Sequence, residues 1–134
     1  MAAQYLLDTN TASYIIKGNF PAVRRRLLRV PMAQVFISSV TEAELLYGVA
    51  RKSGATALQR IVEEFLLRIT VLPWDSTAAR QYGELRAQLE SAGRPIGNLD
   101  LMIAAHALAT GTTLVTNDRA FTHIRNLKTE NWTI

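Results

Sequence analysis

No cysteine occurs among the 134 residues, and its absence removes disulfides, thiolate nucleophiles and zinc–thiolate sites together. Histidine is nearly as scarce. The two present, His106 and His123, have no partner at ligand spacing and read as structural or surface residues. No apolar stretch approaches the roughly 18 residues of a membrane helix, and no basic-then-apolar leader opens the chain. A soluble, unexported and most simply cytoplasmic protein without a membrane partner is expected. Acidic charge is also short, at 11 Asp and Glu against 15 Lys and Arg, for a net charge of +4.

The length suits one domain, residues 1–134, that buries roughly two thirds of its unfolded surface. No repeat, linker or low-complexity segment divides it. Short apolar runs predict strands at Gln4 to Leu7, Gln34 to Ser38, Ile69 to Leu72, Thr113 to Thr116 and, more weakly, Leu127 to Glu130. Apolar residues at helical spacing fill the gaps. Leu58, Ile61, Val62, Phe65 and Leu66 make one stripe in a helix over Ala57 to Arg68. Ala78, Tyr82, Leu85 and Leu89 make another over Ser76 to Ala92, with Asp75 or Ser76 as cap and Gly93 as stop. Two further helices follow Asn10 and Pro21. Helices alternating with buried strands predict an α/β fold, a three-layer α/β/α sandwich around a mainly parallel five-stranded sheet.

The few aspartates are placed unevenly. Asp8 ends the apolar run Tyr5-Leu6-Leu7, so it projects from the carboxyl end of a predicted strand, where open α/β sheets bind ligands. Asp118 ends a second such run, Thr113-Leu114-Val115-Thr116-Asn117. Asp100 is the only charge in Leu99 to Ala109, a stretch apolar nearly all round that should be buried. A buried carboxylate without a partner is costly or titrates to neutral. Glu44 follows a third strand–turn–helix junction, Ser38-Ser39-Val40-Thr41. Glu42 and Glu44 stand about 200° apart on a helix, so at most one of them faces any given site. His106 lies about 240° round its helix from Asp100.

Each of these acids also admits a plain structural role. Asp8 can cap a helix beginning near Thr11, Asp100 can sit in a first turn and favour the helix dipole, Thr41-x-x-Glu44 matches a capping box, and Asp118 can cap a short helix into Phe121. Taken together they put hard oxygen donors near the carboxyl ends of several elements with no soft ligands. That selects Mg²⁺ or Mn²⁺ over zinc. Thr116 and Asn117 can orient a ligating carboxylate or bind metal-bound water. With Asp8, Glu44, Asp100 and Asp118 gathered at one site, seven acids face 15 bases elsewhere, a basic exterior suited to RNA or DNA.

Four blocks in order resemble the PIN-domain ribonucleases, and more narrowly the VapC-type toxins of bacterial type II toxin–antitoxin pairs. They are Leu6-Leu7-Asp8-Thr9-Asn10, Ile37-Ser38-Ser39-Val40-Thr41-x-Ala43-Glu44-Leu45-x-Tyr47-Gly48, Gly93-Arg94-Pro95-Ile96-Gly97-x-x-Asp100-x-x-Ile103-Ala104, and Leu114-Val115-Thr116-Asn117-Asp118-x-x-Phe121. The resemblance implies a five-stranded parallel sheet and an acidic quartet, Asp8, Glu44, Asp100 and Asp118, holding one or two Mg²⁺ or Mn²⁺ ions, Asp118 being the family's least uniform position. It implies cleavage of single-stranded or loop RNA, transfer RNA among the candidates, together with homodimerisation and inhibition by a VapB-type antitoxin. On that mechanism Asp8 and Asp100 are the principal ligands, Glu44 a ligand or the base that orients water, and Asn10 and Thr116 supporting groups. Candidate phosphate contacts are Arg94, Arg119 and Arg24, with Arg25, Arg26, Arg51 and Lys52 also available. Two alternatives compete. A haloacid-dehalogenase-like phosphatase shares the strand-end aspartate but needs a second acid where Asn10 stands, and a catalytically silent binding module would not need the quartet. A receiver-type phosphoacceptor is weaker, for want of a lysine after the last strand.

Overall fold

The computed structural model describes every residue except Met1, Ser53 and Ala55. Five strands form one sheet: β1 (Tyr5–Leu7), β2 (Val35–Ser38), β3 (Thr70–Leu72), β4 (Thr113–Val115) and β5 (Thr129–Glu130). Their order is β3-β2-β1-β4-β5, and every pair is parallel. The predicted strands are all present, each trimmed by a residue or two. Ile69 stays outside β3 as a buried residue, and the last strand keeps only Thr129 and Glu130 of the run from Leu127.

Six α-helices connect the strands: α1 (Thr9–Lys17), α2 (Pro21–Leu28), α3 (Ser39–Ala50), α4 (Thr56–Arg68), α5 (Ser76–Ser91) and α6 (Asn98–Thr110). The side-chain alternation of the strands sorts them into layers. Tyr5, Leu7, Val35, Ile37 and Val115 point to one face and pack with residues of α1, α2, α3 and α4. Leu6 and Leu114 point to the other and pack with α5, α6, Phe121 and Ile124. Both faces are covered, which is why the strands are continuously apolar rather than alternating. The three-layer α/β/α expectation holds, with the sheet wholly parallel.

Strand order reverses direction at β1. The chain moves from β1 outward to β2 and β3, then crosses back through α5 and α6 to β4 on the other side. The crevice beyond the carboxyl ends of β1 and β4 is therefore a topological switch point, the usual ligand site of such sheets. The middle of α6 is buried at Leu101, Ile103, Ala104, Ala105, His106 and Ala107, while its ends are exposed, and it stops at Gly111, whose φ of 68° a side chain would strain. No helix is long and apolar enough to cross a membrane among the described residues.

Leu6 is fully buried under α5 and α6, whereas Leu67 on α4 is 86% exposed. Leu6→Ala is expected to cost about 3 kcal/mol in urea unfolding, and Leu67→Ala less than about 0.5 kcal/mol. Equal effects would contradict this assignment of the core.

Candidate active site

Asp8 is the first residue after β1. Its N–H continues the ladder to the Val115 carbonyl at 3.0 Å. Its carboxylate caps α1, with Oδ1 accepting from the Thr11 N–H at 2.8 Å. The capping role is thus real, but it occupies one oxygen of two. The residue is only 3% exposed. Burial raises its pKa; the Thr116 hydroxyl and the Thr11 amide draw it back down, and the charge of Asp118 raises it again.

Asp118 follows β4, the strand beside β1, and is exposed. It caps a 3₁₀ turn over Arg119–His123 by accepting from the Ala120 N–H at 2.9 Å, while its own N–H donates to Thr116 Oγ1 at 3.0 Å. Thr116 therefore stands between the two aspartates as a neutral bridge.

Glu44 arrives from the other side of β1. The capping box does not form: α3 starts earlier, on Ser38, whose Oγ accepts from the Val40 N–H, so Thr41 is already inside the helix and buried. The cause is local, since β2 ends on Ser38 and that hydroxyl is the first available cap. Glu44, half-buried a turn and a half into the helix, instead accepts a 2.6 Å bond from Thr9 Oγ1. Thr9 has a single hydroxyl hydrogen, so its 3.0 Å contact with Thr41 Oγ1 must be donated by Thr41. The relay Thr41→Thr9→Glu44 ties Glu44 to the residue next to Asp8.

Asp100 is the third residue of α6, whose N-cap is Gly97 and offers no side chain. The first-turn position is as expected, but the carboxylate makes no hydrogen bond among the described residues. Its pKa is raised by burial first, then by the charges of Asp118, Asp8 and Glu44. Asp100 is thus close enough to the three other acids for their charge to act on it. None of the four is ion-paired among the described residues, where the salt bridges are Arg26–Glu130, Arg68–Glu64 and Arg86–Glu90. The four do not close into a preformed cage, because no three acidic or histidine side chains among the described residues are arranged to hold an ion.

The supporting groups divide. Thr116 contacts both Asp8 and Asp118, but Asn10 is exposed and bonds to no carboxylate among the described residues. It lines a cavity of about 190 Å³ together with Lys17, Glu44, Leu45, Arg51 and Lys52. Lys17, Arg51 and Lys52 are thereby the basic residues that share a cavity with Glu44, whereas Arg24 lies with Tyr14 and Phe20 in another. Arg119 adjoins Asp118 in sequence, and Arg94 is exposed before α6. Arg26 is engaged with Glu130 and stacked on Trp132, and Arg25 lines the cavity beside it. From sequence Thr9 and Thr11 carry no role at the site, and Thr41 only that of a helix cap. The only available signal was their run of β-branched hydroxyls beside the acids.

The sequence matches the family described as PIN domain over residues 5–127. The chain belongs to the PIN-domain family. Among its relatives are the tRNA(fMet)-specific endonuclease VapC of Shigella flexneri, 40% identical over 96% of this chain and 98% of that protein, and ribonuclease VapC2 of Rickettsia felis, 40% identical over 96% and 97%. The fold is similar to DNA-bound VapBC from Salmonella typhimurium, with a TM-score of 0.90 and 36% identity, covering 98% of this chain and 99% of that one. It is also similar to VapBC2 from Rickettsia felis bound to a promoter DNA fragment, with a TM-score of 0.88 and 38% identity, covering 96% and 98%. Family membership removes the phosphatase alternative, and the four acids of this PIN domain fall at the carboxyl ends of β1, β2 and β4 and the start of α6.

An acid whose folded pKa lies above its unfolded value binds more protons when folded, so its contribution to stability falls as pH rises from about 3.8 through the raised value. The chelator-treated protein should lose stability across that window. Asp100→Asn should remove part of the slope and raise the thermal midpoint at pH 7, since the amide loses no hydrogen bond there. A midpoint at or below the parent's would show that the acids do not repel one another in the folded chain.

Proposed function

We propose that this chain is a Mg²⁺- or Mn²⁺-dependent endoribonuclease, the toxin of a type II toxin–antitoxin pair, acting on single-stranded or loop RNA, with transfer RNA as the first substrate class to test. The observation that carries the reading is that Asp100, buried and without a cationic partner among the described residues, lies within the charge field of Asp118, Asp8 and Glu44. Hard oxygen donors of this kind suit a divalent cation, and they offer nothing to a soft metal.

In this reading Asp8 and Asp100 are the principal ligands. Asp8 is rigid because its backbone is in the sheet ladder and one carboxylate oxygen is fixed by the Thr11 amide, with the Thr116 hydroxyl beside the carboxylate as well. Glu44 is oriented by Thr9 and serves as a ligand or as the base that holds the attacking water. Asp118 contributes directly or through water, steadied by Thr116. When bound, the ion lowers the pKa of water and neutralises charge developing on the phosphate and the leaving oxygen. No histidine is needed: His106 is buried, and burial lowers its pKa, with the Asp75 charge opposing. Arg51 and Lys52, beside Glu44, are placed to contact the phosphates flanking the cut, and Arg119 and Arg94 extend the basic rim.

The partner in this reading is a VapB-type antitoxin. VapBC and VapBC2 are among the structural relatives, and a further one, VapBC-5 from Mycobacterium tuberculosis, is a member of the VapBC family of toxin-antitoxin systems. Leu46 and Tyr47 are 46% and 67% exposed on α3 next to Glu44 and give an apolar segment somewhere to rest. Homodimerisation belongs to the same proposal, and sedimentation at micromolar concentration tests it.

Asp8→Asn keeps the cap, since Asn caps as well as Asp, and removes one charged ligand. Cleavage of a mixed transfer-RNA pool in Mg²⁺ or Mn²⁺ should drop by orders of magnitude while circular dichroism stays that of the parent, and chelator should silence the parent equally. A variant that cuts at near the parent rate would overturn the mechanism. Saturating antitoxin should stop cleavage by the parent, and persistent cutting would remove the toxin–antitoxin assignment while leaving the nuclease.

A further inference from the structure

Asp100 has no hydrogen bond of its own among the described residues, so its place is inherited from α6, and the apolar packing of that helix through Leu101, Ile103, Ala104, Ala105 and Ala107 is non-directional and does not by itself stop it sliding along its axis. Two directional contacts do that instead. His106 Nδ1 lies 2.9 Å from Ser38 Oγ, both residues being almost fully buried. One turn earlier on the same face, the Met102 carbonyl accepts from Trp74 Nε1 at 2.9 Å, and the Trp74 N–H donates to Ser39 Oγ at 3.0 Å. Both connections end on the first two residues of the α3 turn: Ser38, which caps the helix, and Ser39, which opens it. Glu44 stands six residues beyond Ser38, and Asp100 six residues before His106. Among the described residues these are the only side-chain hydrogen bonds that reach α6 from elements other than its own ends.

We propose that His106 and Trp74 are positioning residues that pin two successive turns of α6 to the start of α3 and so fix the separation of Asp100 from Glu44. The proposal rests on the acids being the metal site. Because both pins lie behind the acids, they touch neither substrate nor reacting atoms. Asparagine at position 106 can place a polar atom where Nδ1 now sits, whereas leucine fills the space without one.

The experiment measures Mn²⁺ affinity from the electron paramagnetic resonance signal of free Mn²⁺, alongside thermal midpoints and RNA binding in chelator. The parent is measured first, and its failure to bind Mn²⁺ would reject the metal site itself before any variant is made. His106→Leu should weaken Mn²⁺ binding on the order of tenfold, the lower range found for groups that orient metal ligands. His106→Asn should recover most of the loss even though its smaller side chain leaves the core less stable. Trp74→Phe should weaken Mn²⁺ binding in the same direction and tests the proposal by itself should the Leu variant fail to fold. RNA binding in chelator should be unchanged in all three. A folded His106→Leu protein that binds Mn²⁺ as the parent does, an Asn variant no better than Leu, or affinities that merely follow the thermal midpoints would overturn the proposal.

Discussion

Like charge held in one crevice is the constraint around which this fold is arranged. Burial raises the pKa of Asp8 and Asp100, and so does acid charge: Asp118 acts on Asp8, and Asp118, Asp8 and Glu44 act on Asp100. Such a group pulls apart unless the scaffold holds each member by something other than its partners. The scaffold does so four different ways. Asp8 is held by sheet ladder and helix cap, Asp118 by a 3₁₀ cap and the Thr116 hydroxyl, Glu44 by the hydroxyl relay from Thr41 and Thr9, and Asp100 only through the helix that carries it. None of these restraints adds positive charge, so the crevice stays acidic, as the proposed cation site requires.

The position of β1 makes the convergence possible. It is the central strand, so the residue after it lies between the ends of β2 and β4. A parallel sheet directs all carboxyl ends the same way, and three junctions that would lie at opposite ends of an antiparallel sheet arrive side by side. The cost falls on stability: each carboxylate brought in without a cation makes the fold less favourable. The fully buried Leu6, Leu7, Ile37, Leu114 and Val115 directly beneath the site supply the offset. Function and core are thus adjacent layers of the same three strands.

Much of this could be read from the sequence, and the part that could not shares one property. The strands and the α4, α5 and α6 helices announced themselves through period and punctuation, and the four acids through their position at the ends of apolar runs. What was hidden depends on contacts between residues distant in sequence. The bond between Thr9 and Glu44 spans 35 positions, and that between Ser38 and His106 spans 68. No local pattern marks either. The capping box at Thr41 misled because a four-residue signature says nothing about where the preceding strand stops, and β2 gave up Ser38 to the helix first. The arginines were least legible of all. Composition gave a basic exterior, but only the folded chain sets Arg51 and Lys52 beside Glu44 and ties Arg26 to Glu130.

At Asp8 and Asp118 the helix-capping role does not compete with the ligand role proposed for them. A carboxylate has two oxygens and roughly four lone-pair directions. Asp8 and Asp118 each give one oxygen to a backbone amide at the start of the next helical segment, and that bond is what stops the side chain from rotating. The remaining oxygen then projects at a defined angle from a defined strand end. Helix capping is therefore the means by which a short, otherwise mobile side chain becomes a fixed donor, and a metal site at the carboxyl edge of a parallel sheet is a natural place for it. Asp100 lacks a cap bond and makes the contrast visible. Its restraint has to come from further away, through a buried histidine and an indole on the far side of its own helix.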